Sequence, residues 1–196
     1  TGLDDDDNAK QHLTSAYDIA LMSRELMMKH PDIQKFTTIW MDTVRNGVFG
    51  LANTNKLVRF YPGATGLKTG FTSGAGYCLS ATAQRDGMGL IAVVMGAESS
   101  KDRFAACKSL LDYGFANYAL VDPQVTEGAV PVKLGKLDCV KAVPAQPVQI
   151  LVDKAQRDQV QIRTQLQEEV TAPVSKGQRL GTLTVLVGEQ TIKEVP

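Results

Sequence analysis

The sequence predicts an α+β chain in two parts: an antiparallel sheet with helices over residues 1–122, then a small all-β sandwich over residues 123–196. Three observations predict it. Helix-like stretches near Ser15–Met27 and Lys101–Tyr118 enclose a group of strand-like runs. Those runs follow one another through tight turns, which joins neighbours antiparallel. Past Asp122-Pro123 no helical period of any length remains, and short β-rich runs broken by Pro and Gly take over.

The elements follow in order. Asp4-Asp5-Asp6-Asp7 is an acidic run; four carboxylates suit a hard cation such as calcium, but the EF-hand spacing is missing, so it reads as a solvated loop. Ser15 and Asp18 have the spacing of a capping box, with Asp in the place of the usual Glu or Gln. Ile19, Met22, Leu26 and Met27 form a stripe at helical spacing, and Pro31 ends it. Phe36–Arg45 mixes β-branched and aromatic residues and reads as a strand, closed by the turn pair Asn46-Gly47. Asn53-Thr54-Asn55 is a loop and Tyr61-Pro62-Gly63 a turn. Gly66–Thr72 is extended, and Tyr77–Gln84 and Leu90–Met95 form a hairpin about Asp86-Gly87. In the helix that follows, Phe104, Leu110, Leu111 and Phe115 make the apolar face. Strands are expected at Val130–Leu134, Val148–Val152, Gln159–Thr164 and Leu183–Val187.

Composition excludes several classes. Lys plus Arg and Asp plus Glu both number 21, so no excess of base marks a nucleic-acid footprint. The basic residues are scattered, and no apolar run has the length of a membrane-spanning helix. Three cysteines, Cys78, Cys107 and Cys139, are too few and too odd for a disulfide framework; Cys78 and Cys107 lie in apolar runs and read as small buried hydrophobes.

Lys68-Thr69-Gly70 is the triplet that carries chemistry. A site that transfers the acyl group of a peptide ending in a free carboxylate needs a strand edge to hold the peptide backbone. It also needs a lysine for positive potential, a hydroxyl to bind the carboxylate, and a glycine to let the substrate come close. A backbone N–H beyond the glycine completes an oxyanion hole. Here those parts are Lys68, Thr69, Gly70 and the amide of Phe71. Read alone, the triplet fits a surface turn on a plain edge strand better, with Lys68 guarding it against pairing.

Ser-x-x-Lys, Ser-Asp-Asn and Lys-Thr-Gly are the signature set of class A β-lactamases and penicillin-binding proteins. Beyond the triplet, the chain resembles the D-alanyl-D-alanine carboxypeptidase branch of the low-molecular-mass penicillin-binding proteins. The resemblance runs through Gly2-Leu3-Asp4, Thr14–Ala20, Arg45-Asn46-Gly47, Gly66–Thr72, Ala75-Gly76-Tyr77 and Ala92–Gly96. It continues through Lys101–Phe104, Leu110–Phe115, Ala172–Gln178 and Gly181-Thr182-Leu183, and so spans essentially the whole chain.

The resemblance implies part of a penicillin-recognising serine-transferase domain, of the β-lactamase-like transpeptidase type, followed by a small β-sandwich. Within it Lys68 is the third-motif lysine, Thr69 binds the terminal D-Ala carboxylate, and the Phe71 amide is an oxyanion donor, Phe standing where relatives often carry His. Arg103 falls where the family places an arginine for that carboxylate, and Arg45 matches a second arginine lining the site. The implied activity is removal of the terminal D-Ala from peptidoglycan stem peptides through an acyl-enzyme, with β-lactams as substrate mimics and neither metal nor cofactor. No Ser-x-x-Lys or Ser-x-Asn precedes Lys68 in these residues, so the resemblance puts both upstream of Thr1. The fragment is then expected to be inactive alone and to associate with itself or with the missing N-terminal half. The family implies an extracytoplasmic protein, membrane-anchored in its full form. Two rivals stay open: a β-lactamase or transpeptidase of the same superfamily, and a non-catalytic cell-wall scaffold.

Overall fold

The computed structural model describes residues 12–196; the acidic run at Asp4–Asp7 lies outside them. Contacts divide the chain into two units, Thr1–Ala116 and Asn117–Pro196.

The first unit is built on a three-stranded antiparallel sheet of β3 (Ala64–Thr72), β4 (Gly76–Arg85) and β5 (Met88–Ala97), with β4 in the centre. The β4–β5 turn is Asp86-Gly87, both at positive φ (49° and 78°), as a two-residue hairpin loop requires. Neighbouring residues of β4 serve opposite faces. Leu79, Ala81 and Ala83 are buried on one face, which receives α4 (Ser100–Asn117). There Cys107 lies against the carbonyls of Leu79 and Ala92, and Gly114 comes so close to Leu90 that an added Cβ would stand 2.5 Å from its Cδ1. The other face presents Ser80, whose hydroxyl meets that of buried Ser23 on α1 (Ala16–Lys29) at 2.8 Å. A buried hydroxyl needs a partner, and these two satisfy each other.

Helix α1 begins as its sequence predicts: Ser15 caps it, accepting from the Asp18 amide at 3.1 Å. Its stripe is rotated from the expected one. Ile19, Leu26 and Met27 are half-buried, but Met22 is 58% exposed and Ser23 takes the inner place. Likewise α4 buries Arg103, Cys107, Leu111, Gly114 and Phe115, while Leu110 is 51% exposed. In both helices the polar or small residue wins the inner position because a specific partner waits there.

The single strand expected over Phe36–Arg45 is corrected. A short helix α2 (Gln34–Thr37) takes Phe36 and Thr37, and only β1 (Met41–Val44) is strand. It pairs with β2 (Phe49–Ala52) around the Arg45–Val48 turn, where Arg45, Asn46 and Gly47 have φ of 54°, 56° and 84°. A further short helix, α3 (Leu57–Phe60), follows the Asn53–Asn55 loop. Tyr61 is 4% exposed beneath it and donates to Asp112 at 2.8 Å, and the Arg85 guanidinium lies over its ring.

The second unit is all-β apart from a 3₁₀ turn at Lys154–Gln159. β6 (Tyr118–Val121) pairs with β9 (Ile150–Asp153). β7 (Gly128–Lys133) lies between β11 (Val170–Thr171) and β8 (Cys139–Ala142), and β12 (Gly181–Val187) between β10 (Val160–Leu166) and β13 (Gln190–Val195). Ile150 and Val152 of β9 alternate inward against Leu183, Val185 and Val187 of β12, with Val148 beside them. Each such side chain contributes about 1.5–3 kcal/mol when fully buried. A second cluster joins Val130, Val170 and Leu180. A cleft of about 470 Å³ opens within this unit, lined among others by Val140, Leu166, Val174 and Arg179.

Burial pushes the Cys107 thiol up to about 12, and burial with the bond to Asp112 pushes the Tyr61 hydroxyl up to about 12. Above about pH 9 the unfolded chain releases these protons while the folded chain keeps them. Stability is therefore intact below pH 9 and falls as pH rises toward 12, by about 1.4 kcal/mol per pH unit for each group in its titration range. Urea unfolding midpoints at pH 8 and pH 10 will show this fall, and Cys107→Ala will reduce it. A thiol reagent at pH 8 will label exposed Cys139 at once and Cys107 only after unfolding; prompt labelling of Cys107 in the folded chain would contradict the packing described.

Candidate active site

β3 is an edge strand: it pairs with β4 and with no other strand among the described residues. In an antiparallel edge strand, alternate residues turn their N–H and C=O groups away from the sheet. Lys68, Thr69, Gly70 and Phe71 all lie on this edge, opposite Ser80, Leu79, Cys78 and Tyr77. Cross-strand partners share a face. Thr69 and Phe71 therefore belong to the α4 side with Leu79 and Tyr77, and Lys68 to the α1 side with Ser80. The edge is where the two sets of groups meet. Lys68 is exposed, and its ammonium curls along the edge to the carbonyl of Thr69.

Thr69 is 9% exposed, and its hydroxyl is not free. It meets the hydroxyl of Thr54 at 2.7 Å. Thr54 is exposed and sits in a loop fixed by its two neighbours. The Asn53 amide donates to the carbonyls of Ile39 (2.9 Å) and Thr37 (3.3 Å), and its oxygen accepts from the Asn55 amide at 2.9 Å. Asn55, 1% exposed, accepts from Leu57 N at 3.2 Å, which fixes the turn leading into the short α3. Its Nδ2 is buried without a partner among the described residues.

Arg103 is 7% exposed. Its Nη1 donates to Gly70 O (2.9 Å) and Cys78 O (3.2 Å), and its Nη2 to Ser100 Oγ (3.3 Å). The guanidinium also faces the rings of Phe104 and Tyr77, at 5.0 and 5.3 Å. No carboxylate neutralises it among the described residues; carbonyl dipoles, a hydroxyl and two π faces hold the charge. The Phe71 ring is 56% exposed and stacks on Tyr77 at 4.3 Å, which leaves the site with the Phe71 backbone rather than the ring.

The structure thus joins Lys68, Thr69, Gly70, Phe71 and Arg103 around one strand end. Arg45 stands apart from that cluster in its bonding. It lies at the β1–β2 turn in the left-handed region, and among the described residues no hydrogen bond or ion pair links it to Lys68–Phe71. Thr54 is the residue that sequence reasoning passed over, taking its triplet as a loop. The only signal was a threonine flanked by two turn-forming asparagines, which says that the loop is fixed but not what it faces. Among the described residues, no group of three or more His, Cys, Asp or Glu is placed to hold a metal ion.

The chain is similar in sequence and fold to proteins of known family. Residues 1–99 match the family model for D-alanyl-D-alanine carboxypeptidase, and residues 118–196 match that for the penicillin-binding protein 5 C-terminal domain. The D-alanyl-D-alanine carboxypeptidase DacF of Bacillus subtilis is 38% identical over 192 residues, which is 94% of this chain and 49% of the relative. Penicillin-binding protein 5 from Haemophilus influenzae superposes with a TM-score of 0.70 at 29% identity, covering 92% of this chain and 54% of that one. Penicillin-binding protein D2 from Listeria monocytogenes, solved in a cefotaxime-bound form, is 36% identical with a TM-score of 0.53, over 58% of this chain and 45% of that one. The chain spans about half the length of the curated relatives it matches. With a family model matched over more than half its residues, and a helix-backed edge strand bearing Lys-Thr-Gly, the chain belongs to the D-alanyl-D-alanine carboxypeptidase family of penicillin-binding proteins.

Proposed function

We propose that this chain supplies the substrate-binding edge of a serine-type D-alanyl-D-alanine carboxypeptidase. The observation that carries the proposal is the edge of β3 at Lys68–Phe71, which pairs with no strand but β4 among the described residues, with Thr69 held in place by Thr54. A peptide ending in D-Ala-D-Ala adds to this edge as an extra strand. Its terminal carboxylate comes to the Thr69 hydroxyl, while Lys68 and the buried Arg103 supply positive potential. Gly70 leaves room for the peptide backbone. Arg45 lines the approach only if its turn lies over β3 once substrate is bound.

The nucleophile comes from the upstream segment present in the longer relatives. Its serine attacks the carbonyl of the D-Ala–D-Ala bond, with a lysine as base, and the oxyanion is held by two backbone N–H groups, Phe71 giving one. The tetrahedral intermediate collapses with departure of D-Ala, which takes up a proton. Water then hydrolyses the acyl-enzyme ester and frees the serine. A β-lactam, whose strained amide and carboxylate mimic the peptide, acylates the same serine. The substrate lies in the peptidoglycan, so the full protein works outside the cytoplasmic membrane and is anchored to its outer face; no helix among the described residues is long and apolar enough to cross a membrane.

The first unit also has apolar surface that asks for a cover. Tyr17, Leu21, Met22 and Met28 on α1 are 46–71% exposed, and Met41, Val44, Phe49 and Leu51 on the β1–β2 hairpin are 41–67% exposed. A lone two-stranded hairpin is marginal in water. The upstream half is the occupant these surfaces fit, because relatives of the same family are twice as long.

Two outcomes follow. Incubated with a penicillin, the chain extended upstream gains the mass of one penicilloyl group, and Thr1–Pro196 gains none; an adduct on the short chain would mean that the nucleophile lies within it, and none on either would favour a non-catalytic scaffold. By size-exclusion chromatography with light scattering, Thr1–Pro196 alone forms dimers or larger species, while the extended chain is monomeric. A monomeric short chain of ordinary stability would show that these apolar surfaces need no cover.

A further inference from the structure

We infer that Thr54 is a positioning residue of the carboxylate subsite, acting through Thr69; this rests on the reading of β3 as the substrate edge. The argument is a count of protons. Each hydroxyl has one proton to donate and can accept two bonds. The Thr54–Thr69 pair at 2.7 Å uses one proton internally and leaves one. If Thr69 donated to Thr54, its own proton would be consumed, and it would have nothing to offer a carboxylate. With Thr54 donating to Thr69, the remaining proton is on Thr69, on the substrate edge. The same bond polarises the Thr69 hydroxyl and makes it a stronger donor to an anion.

Thr54 is equipped for the task by its neighbours. Asn53 is tied to the carbonyls of Ile39 and Thr37, and the Asn53 and Asn55 side-chain oxygens cap the amides of Asn55 and Leu57. The two asparagines are occupied with the backbone, and Thr54 is the member of the triplet whose side chain meets Thr69. Thr69 is nearly buried while Thr54 is exposed. Water therefore has little access to orient the Thr69 hydroxyl, and the loop does so instead. Its effect is greatest on substrates that present an anion to Thr69, since a bond to a charged acceptor is worth more than one to a neutral amide oxygen, which makes Thr54 a specificity device as well as a support.

The test uses the full-length protein and two peptides, one ending in D-Ala-D-Ala with a free carboxylate and the same peptide as its terminal carboxamide. Release of D-Ala or D-alaninamide gives kcat/KM for each. Thr54→Val is expected to lower kcat/KM for the carboxylate peptide by about tenfold, the scale of one hydrogen bond to a charged group. It should lower the carboxamide rate by clearly less, since the bond lost there is to a neutral acceptor, and Thr54→Ser should restore the carboxylate rate. Thr54→Ala serves as a second variant, and thermal unfolding confirms that each is folded. An equal loss on both peptides would reduce Thr54 to a structural residue, and no loss on either would remove it from the site. If the unmutated full-length protein releases no D-Ala and takes no penicillin, both this assignment and the functional reading beneath it fall.

Discussion

The arrangement of the site depends on a positive charge buried without a counter-ion. Placing the Arg103 guanidinium at 7% exposure costs several kcal/mol of lost hydration unless its donors are satisfied. The carbonyls of Gly70 and Cys78 satisfy two of them, and these residues face each other across β3 and β4. The guanidinium therefore clamps the end of the edge strand to the centre of the sheet from the α4 side. A lysine could not do the same, because its ammonium has no second nitrogen to reach Ser100 Oγ while the first holds both carbonyls, and no planar face to lay against the Phe104 and Tyr77 rings. The clamp has an electrostatic consequence too. With no carboxylate beside it among the described residues, the charge is not cancelled locally, and its field extends to the strand edge proposed to receive the anionic end of a peptide.

How much of this was legible in the sequence depended on the range of the interaction. The β4–β5 hairpin was readable because Asp86-Gly87 states its own turn type, and α1 because Ser15 states its own cap. Lys68-Thr69-Gly70 was readable as a motif, and its strand as a strand. What local pattern could not state was which residue of a helix turns inward. Met22 loses the inner place to Ser23 because Ser80 lies opposite, and Leu110 loses to Cys107 and Gly114 because the strand carbonyls and Leu90 come close. Those partners are far away in sequence. The Thr54–Thr69 contact was invisible for the same reason, although both residues were in plain view.

The all-β character of the second unit was readable from its turns, but several of its strands were not. Val170–Thr171 is two residues long, and Cys139–Ala142 and Tyr118–Val121 four each, too short for an alternation to declare itself. Tyr118–Val121 is instructive. On sequence alone the helix ends at Tyr118 and Ala119–Val121 fall in no strand. The chain instead leaves the helix at Asn117 and pairs with Ile150–Asp153, and the second unit begins there, five residues before the change of composition at Asp122. Pairing with a distant strand decided the boundary, and composition lagged behind it.

The placement of the motif on an edge is itself a physical requirement. β4 is paired on both sides, so no peptide can add to it; β5 pairs on one side only among the described residues but carries no lysine–threonine–glycine run. A strand that must accept substrate has to keep an unpaired row of donors and acceptors, the same feature that invites aggregation. β3 meets this conflict with its own residues. Lys68 puts a charge on the edge, and its ammonium donates to the Thr69 carbonyl. Gly70 gives no side chain for a foreign strand to pack against, and Thr69 turns its hydroxyl to the Thr54 loop rather than to a neighbour in a sheet. The residues that the proposed chemistry uses are thus also ones that guard the edge against pairing, and selection for one property would maintain the other.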